Sequence, residues 1–170
     1  MSQDLGRPAW MEDRLGEAIT RLTTRIGDAG FTALTDSAAA AGQSRAFLEL
    51  LACSDFFGEQ VARQHAWLCG ALADGTLLES RDWEADHWDR ALSALVPPTQ
   101  SEPDALAALR IFRHRELLRI LWRAAAHLAA LGEAFEALSQ HSDCCIRASL
   151  SMATATLKEK YGTPCGTDSG

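Results

Sequence analysis

Ala108-Leu109-Arg110-Ile111-Phe112-Arg113-His114-Arg115-Glu116-Leu117-Leu118-Arg119-Ile120-Leu121-Trp122-Arg123 is the stretch that decides how this chain folds. It sets five arginines and one glutamate in a strongly apolar run within an acidic protein. A plain surface helix would mix both signs of charge, and a plain core helix would carry fewer charges. The run reads as a helix buried on one side with fixed cationic positions on the other. At about 100° per residue Arg115, Arg119 and Arg123 share one stripe, and Glu116 can reach Arg119 at i, i+3. Such a row can grip carboxylates or phosphates through bidentate geometry, on a partner or a ligand. It can equally pair with the acidic segment from Asp82 to Asp89 of the same chain.

Ser101-Glu102-Pro103-Asp104 opens this helix, with serine as N-cap, acid in the first turn and proline just inside. The pattern runs to about Leu131 and breaks at Gly132, a length of about 40 Å at 1.5 Å per residue. A short helix from Glu133 to Ser139 is expected next. Ser142-Asp143 then caps a last long helix carrying Ile146, Leu150, Ala153 and Leu157, which stops at Tyr161-Gly162. Thr163 to Gly170 has linker composition.

On the amino-terminal side, Trp10, Leu15, Ile19, Leu22 and Ile26 recur as on one helix face after Pro8, and Gly27 and Gly30 mark its end. Phe31 to Ala41 is a weaker, alanine-rich helix closed by Gly42. Phe47, Leu48, Leu50 and Leu51 form a short apolar helix from Ser44. Ser54-Asp55 caps a second one bearing Phe56, Phe57 and Val61, and Ala66-Trp67-Leu68 begins a third that ends near Asp74-Gly75. Glu79 to Leu95 reads as an acidic helix with Trp83, Trp88, Leu92 and Leu95 inward. Pro97-Pro98 stops it, and residues 99–102 form the clear internal linker. The expected fold is all-α: a helical bundle with a small cap of short helices and two long helices near 103–131 and 143–161.

A chain of 170 residues can bury a core without metal or disulfide support. Alanine and leucine dominate, and strand formers are scarce. A formal net charge of −7 argues against a nucleic-acid or anionic-membrane binder. No run approaches the roughly 20 apolar residues of a membrane span. Met1 to Gly6 lacks the basic start and apolar run of a secretory signal. Five cysteines, Cys53, Cys69, Cys144, Cys145 and Cys165, show no metal-type spacing, and the adjacent pair staples nothing. Reduced thiols and a cytoplasmic location are expected.

Candidate chemistry is thin. Glu84-Ala85-Asp86-His87 has the Glu-x-x-His spacing of helical di-iron sites, but those require a second copy. His65, His87, His114, His127 and His141 form no pair at metal-ligand spacing. There is no phosphate-binding glycine loop, no acidic pair for the metal ions of nucleotidyl transfer, and no nucleophile constellation. No catalytic, cofactor-binding or metal residue is assigned.

Leu109-Arg110-x-Phe112-Arg113-x-Arg115-Glu116-x-x-Arg119-Ile120 resembles the arginine-rich helix of the glutamine synthetase adenylyltransferase/adenylyl-removing enzymes. Three landmarks follow in the same order. Cys53-Ser54-Asp55-Phe56 and His65-Ala66-Trp67-Leu68 are similar to the family's Ser-Asp-Phe … His-Pro-x-Trp-Leu region. Leu138-Ser139 before Cys144-Cys145-Ile146 is similar to its Leu-Ser-x-Leu-Ala-x-x-x-Ile helix. Tyr161-Gly162-Thr163-Pro164-Cys165 is similar to its aromatic-Gly-Thr-Pro exit. Ala66 stands where the family usually has proline, and Ala124 where an aspartate often follows. Residues before about 44 do not align.

The resemblance implies the amino-terminal helical, non-catalytic part of the adenylyl-removing half of a bifunctional enzyme. It divides the chain into an N-terminal helical segment (1–43), a helical domain (44–162) and a linker (163–170) toward a nucleotidyltransferase core that the sequence does not contain. It implies magnesium and ATP for the whole enzyme and none in this chain. Its partners would be the remainder of that enzyme, glutamine synthetase and a nitrogen-signalling regulatory protein, with no nucleic acid and no membrane. Arg110, Arg113, Arg115 and Arg119 are the candidate interface or scaffold positions. Two alternatives remain open: a free-standing helical interaction module using the arginine-rich helix, and a small helical metalloenzyme. The size of the native polypeptide separates the first of these from a part of a larger enzyme, and metal analysis tests the second.

Overall fold

A computed structural model describes residues 8–80, 90, 92 and 102–163. Five helices order the described residues: α1 (Ala9–Ala40), α2 (Ser44–Cys53), α3 (Asp55–Ala73), α4 (Glu102–Ala125) and α5 (Leu131–Tyr161). No strand occurs among these residues, and the chain is all-α. It divides into two compact units, residues 1–81 with 114–135, and residues 82–113 with 136–170. The boundaries fall inside α4 and α5, so each of these helices serves both units.

The first unit is built by α1, α2, α3 and the carboxy-terminal half of α4. Leu15, Ala18, Leu22, Leu34 and Ala38 of α1 meet Phe47 and Leu51 of α2 and Phe57, Val61 and Leu68 of α3 in one apolar core, with Leu118 and Trp122 of α4. Phe47 and Trp122 stack at 5.8 Å with 18° between their planes, and Phe57 lies tilted 5.8 Å from the same indole. Gln43 accepts a hydrogen bond of 3.2 Å from the indole N–H, so the buried tryptophan leaves no polar atom unmet.

The breaks in this unit follow local chemistry. Gly27 sits at φ 75°, ψ 165°, a backbone region essentially restricted to glycine, and kinks α1. The sequence expectation of two helices meeting there agrees with this, although the kink is tight enough to leave one continuous element. Ser54 caps α3, its hydroxyl accepting from the Phe57 amide at 3.1 Å. Gln64 is non-helical at φ −132°, ψ 19°, dividing α3 where the two short helices were expected to meet. Trp10, expected on the inward face of α1, is instead exposed near its start.

In the second unit Ala105, Leu109 and Phe112 of α4 and Ala137, His141 and Cys144 of α5 are buried, as is Leu92. The Phe112 and His141 rings stack at 5.5 Å, 21° from parallel. Gly162, at φ 78°, ends α5 directly after Tyr161, as the glycine predicted.

Three expectations about α4 and α5 need correction. The first long helix stops at Ala125 rather than Leu131, because the break falls at residues 126–130, where His127 takes φ 56°. Gly132 is no breaker; it lies in the first turn of α5, where glycine is tolerated. The Ser142-Asp143 cap does not exist, and α5 runs through it from Leu131. The Ser142 hydroxyl turns back to the Leu138 carbonyl at 2.7 Å, the usual solution for a serine in a helix interior. The expected acidic helix at 79–95 falls mostly outside the described residues. So do Trp83, Trp88 and Leu95, the Glu84-x-x-His87 spacing, Pro97-Pro98 and the Ser101 cap. Glu79 is described and is not helical.

Candidate functional site

The arginine-rich run lies on α4, as its composition predicted, but its cations do not form an outward row. Arg119 is 2% exposed and Arg123 4%, while Arg115 is half-buried. The stripe faces into the first unit because the turns there offer carbonyls without helical partners. A guanidinium, weakly hydrated and carrying five donors, meets such acceptors better than any other side chain.

Each arginine holds a specific piece of chain. Arg119 Nε donates to Glu116 Oε2 at 2.8 Å, the i, i+3 pair expected from the spacing, and its Nη1 donates to the Glu79 carbonyl at 3.2 Å. Arg123 donates from Nη1 to the Leu78 carbonyl at 2.5 Å. From Nη2 it donates to the Leu128 carbonyl and to Glu133 Oε1, both at 3.0 Å. One guanidinium therefore ties the segment after α3, the break after α4 and the first turn of α5. Arg115 donates from Nε to Gln64 Oε1 at 2.9 Å, at the kink of α3, and lies 4.9 Å above the Trp67 ring. Partial burial pulls the Arg115 guanidinium below its ordinary value.

Arg110 and Arg113 belong to the second unit and are exposed. Arg110 Nε folds back onto the Leu106 carbonyl at 3.2 Å. Burial raises the Cys145 thiol above its ordinary value, and the positive charge of Arg113 opposes that shift. Cys145 Sγ also lies 3.6 Å from His141 Nδ1. A thiol pushed upward is held protonated near neutral pH and is a poor nucleophile or metal ligand. Cys53, Cys69, Cys144 and Cys145 are all free thiols.

Gln43, Gln64 and the carbonyls of Leu78 and Glu79 complete this network, and none carried a signal in the sequence. Glutamine gives no periodicity, and a carbonyl acceptor is common to every residue. Among the described residues no three His, Cys, Asp or Glu side chains gather as a metal ion requires. No helix of those residues is long and apolar enough to cross a membrane. A cleft of about 250 Å³ between α1 and α3 has Arg21, Arg25, Asp55 and Glu59 on its walls. These charges are spent on one another, Arg21 bonding Asp55 and Arg25 bonding Glu59. The arrangement fixes turns of the first unit through buried cations.

Residues 44–170 match the sequence profile of a family described as glutamate-ammonia ligase adenylyltransferase. The chain is similar to proteins named bifunctional glutamine synthetase adenylyltransferase/adenylyl-removing enzyme. The relative from Pseudomonas aeruginosa is 35% identical over 124 residues, 73% of this chain. That from Nitrosococcus oceani is 32% identical over 117 residues, 69% of this chain. That from Thioalkalivibrio sulfidiphilus is 30% identical over 119 residues, 70% of this chain. In each case the alignment spans 12% of the relative's own length. No solved structure matches the chain.

Proposed function

Because the chain belongs to the glutamate-ammonia ligase adenylyltransferase family, we propose that it is a helical, non-catalytic portion of an enzyme that adenylylates and de-adenylylates glutamine synthetase in nitrogen regulation. One observation carries this reading. The arginine helix lies inside the matched segment, and its deepest cations, Arg119 and Arg123, are engaged in holding turns of the same unit. Such a helix supports a fold and leaves chemistry to another region of the polypeptide.

Magnesium and ATP would belong to that other region, in the cytoplasm with glutamine synthetase and a nitrogen-signalling regulator as its partners. The described residues gather no group of three His, Cys, Asp or Glu side chains that could hold a metal ion, and we assign no step of the reaction to them. Arg115 and Arg119 would act as scaffold positions, and the exposed Arg110 and Arg113 as positions available to a neighbouring domain.

The test incubates the purified chain with adenylylated glutamine synthetase, phosphate and magnesium, and measures released AMP. No release is expected, and release by this chain alone overturns the non-catalytic assignment. In the longer enzyme, Arg115→Ala with Arg119→Ala should lower both stability and adenylyl removal. Full retention of both would remove the scaffold role.

A further inference from the structure

Burial along α5 stops at Cys144, and from Cys145 to Tyr161 no residue of the helix is buried. That leaves about 25 Å of helix at 1.5 Å per residue. A helix of this length is marginal in water unless a face of it packs on something. Its sequence is not polar all round. Asp143, Ile146, Leu150, Ala153, Leu157 and Lys160 follow one another at steps of three, four, three, four and three, the a and d positions of an unbroken heptad series. All six are exposed, Ile146 at 64%, Leu150 at 66% and Leu157 at 55%. Helical geometry puts the stripe on the side of α5 away from the buried Ala137, His141 and Cys144 of the same unit. Among the described residues neither Asp143 nor Lys160 enters an ion pair. The Lys160 ammonium lies 5.2 Å from the centre of the adjacent Tyr161 ring.

We propose that this stripe is the seam of an antiparallel, two-fold coiled coil between two copies of the chain. The pattern reads the same in both directions. An antiparallel pair centred between Ser151 and Met152 sets Ile146 against Leu157 of the second copy and Leu150 against Ala153, and the two-fold axis repeats each layer. The same register sets Asp143 against Lys160 at both ends of the seam, so the four apolar layers are closed by two opposite-charge pairs. Other arrangements lose this match. A parallel pair sets Asp143 against itself and Lys160 against itself, and like charges within a seam disfavour that orientation. A slip of one heptad sets Asp143 against Ala153 in one direction and Lys160 against Leu150 in the other. Charge therefore selects one orientation and one register.

Area sets the strength. Ile146, Leu150 and Leu157, with Tyr161 at 71% exposure beside the last layer, leave on the order of 500 Å² in water. A two-fold pair covers roughly 1,000 Å² in all, the lower edge of a specific association. Ala153 within the seam and Ser149 next to it are small and exposed, which lets the two helices approach closely. The apolar layers supply the affinity, while the exposed ion pairs contribute little to it and fix the register instead. A dissociation constant on the order of 10 µM is expected. The inference does not rest on the function proposed above, and a monomeric chain would leave that reading untouched.

Sedimentation velocity of the purified chain from about 1 to 200 µM should show monomer giving way to dimer across the range. Leu150→Glu with Leu157→Glu should stay monomeric throughout. Both sites are exposed, so this variant should keep the circular dichroism of the parent at the dilute end of the range. Asp143→Lys and Lys160→Asp each put like charges in both end layers, and each should weaken the dimer by about tenfold. An equimolar mixture of those two variants again pairs lysine with aspartate at both ends, and should recover the affinity of the parent. Such recovery also excludes misfolding as the cause of the loss. A chain that is monomeric across the whole range overturns the proposal. So does a dimer that survives Leu150→Glu with Leu157→Glu, because the contact would then lie elsewhere. A mixture that associates no more tightly than its two components overturns the antiparallel register.

Discussion

Replacing Arg123 by methionine is the sharpest test of the idea that the arginine stripe is scaffold. Methionine keeps most of the volume and apolar stem but removes three charge-assisted hydrogen bonds, to the Leu78 and Leu128 carbonyls and to Glu133. Breaking a buried ionic cluster from one side costs about 3–5 kcal/mol, because the groups left behind stay desolvated. The Glu133 side chain is 33% exposed and can rehydrate, which moves the expectation to the lower end, about 3 kcal/mol. With a urea slope of about 1–3 kcal/mol per molar, the unfolding midpoint should fall by about 1–3 M. Arg123→Lys should recover only part of this, because a single ammonium cannot span three acceptors on separate segments. A double-mutant cycle with Glu133→Gln should give a coupling of about 1 kcal/mol, since most of the loss lies in the two carbonyls. Urea unfolding followed by far-ultraviolet circular dichroism reads the parent chain and all four variants. A loss under about 1 kcal/mol for Arg123→Met would refute the argument, because the guanidinium would then be hydrated or mobile in solution.

Further outcomes are expected from the same unit. Trp122→Ala should destabilise by about 3–5 kcal/mol, removing the ring between Phe47 and Phe57 and leaving Gln43 without its donor. Gly27→Ala should cost about 1–3 kcal/mol through backbone strain alone, since nothing lies within 4 Å of an added Cβ. Gly16→Ala, equally open but helical, should stabilise by about 0.5–1 kcal/mol, and equal effects at the two sites would contradict the kink. Ser54→Ala should lose about 1 kcal/mol with faster exchange of the first α3 amides. Hydrogen bonding from Arg25, with the charges of Arg63 and Arg21, holds the Glu59 carboxyl below its ordinary value of 4.5. A depressed carboxyl contributes stability that is present above that value and is lost as the pH falls below it. The melting temperature of Glu59→Gln should therefore depend less steeply on pH below 4.5 than that of the parent chain.

The helices on either side of the arginine run were legible where punctuation was strong. Glu102-Pro103-Asp104 opened α4, Ser54 capped α3, and Gly162 closed α5. Reading failed where a residue type has two uses. Ser142-Asp143 looks like a cap in sequence, yet a serine hydroxyl can bond backward within a helix as readily as forward at its start. Gly132 looks like a stop, and His127, with no sequence mark of a left-handed conformation, supplies the break instead. The arginine stripe was found but turned the wrong way. Periodicity places Arg115, Arg119 and Arg123 on one side of a helix; whether that side meets water depends on acceptors at Leu78, Glu79 and Leu128, which lie elsewhere in the chain.

α1 lies outside the family match although it completes the core. The family match begins at residue 44, while α1 ends at Ala40. Without α1, the apolar faces holding Phe47, Leu51, Phe57 and Val61 would lack the helix that bears Leu15, Leu22 and Leu34. Arg14 also reaches the Ala52 carbonyl at 3.2 Å, and Arg21 pairs with Asp55 at 2.9 Å. A covering helix must be apolar on one face and of the right volume, a demand that many sequences satisfy. Exposed ion pairs of the kind made by Arg21 contribute little and exchange freely for others. Arg119 and Arg123 face a narrower demand, since each must bring several donors to fixed carbonyls inside the unit, and no other side chain reproduces that fork. A helix defined by its surface is therefore seen only once the fold is built. A helix defined by its hydrogen bonds shows its cations in the letters, and their acceptors only in the fold.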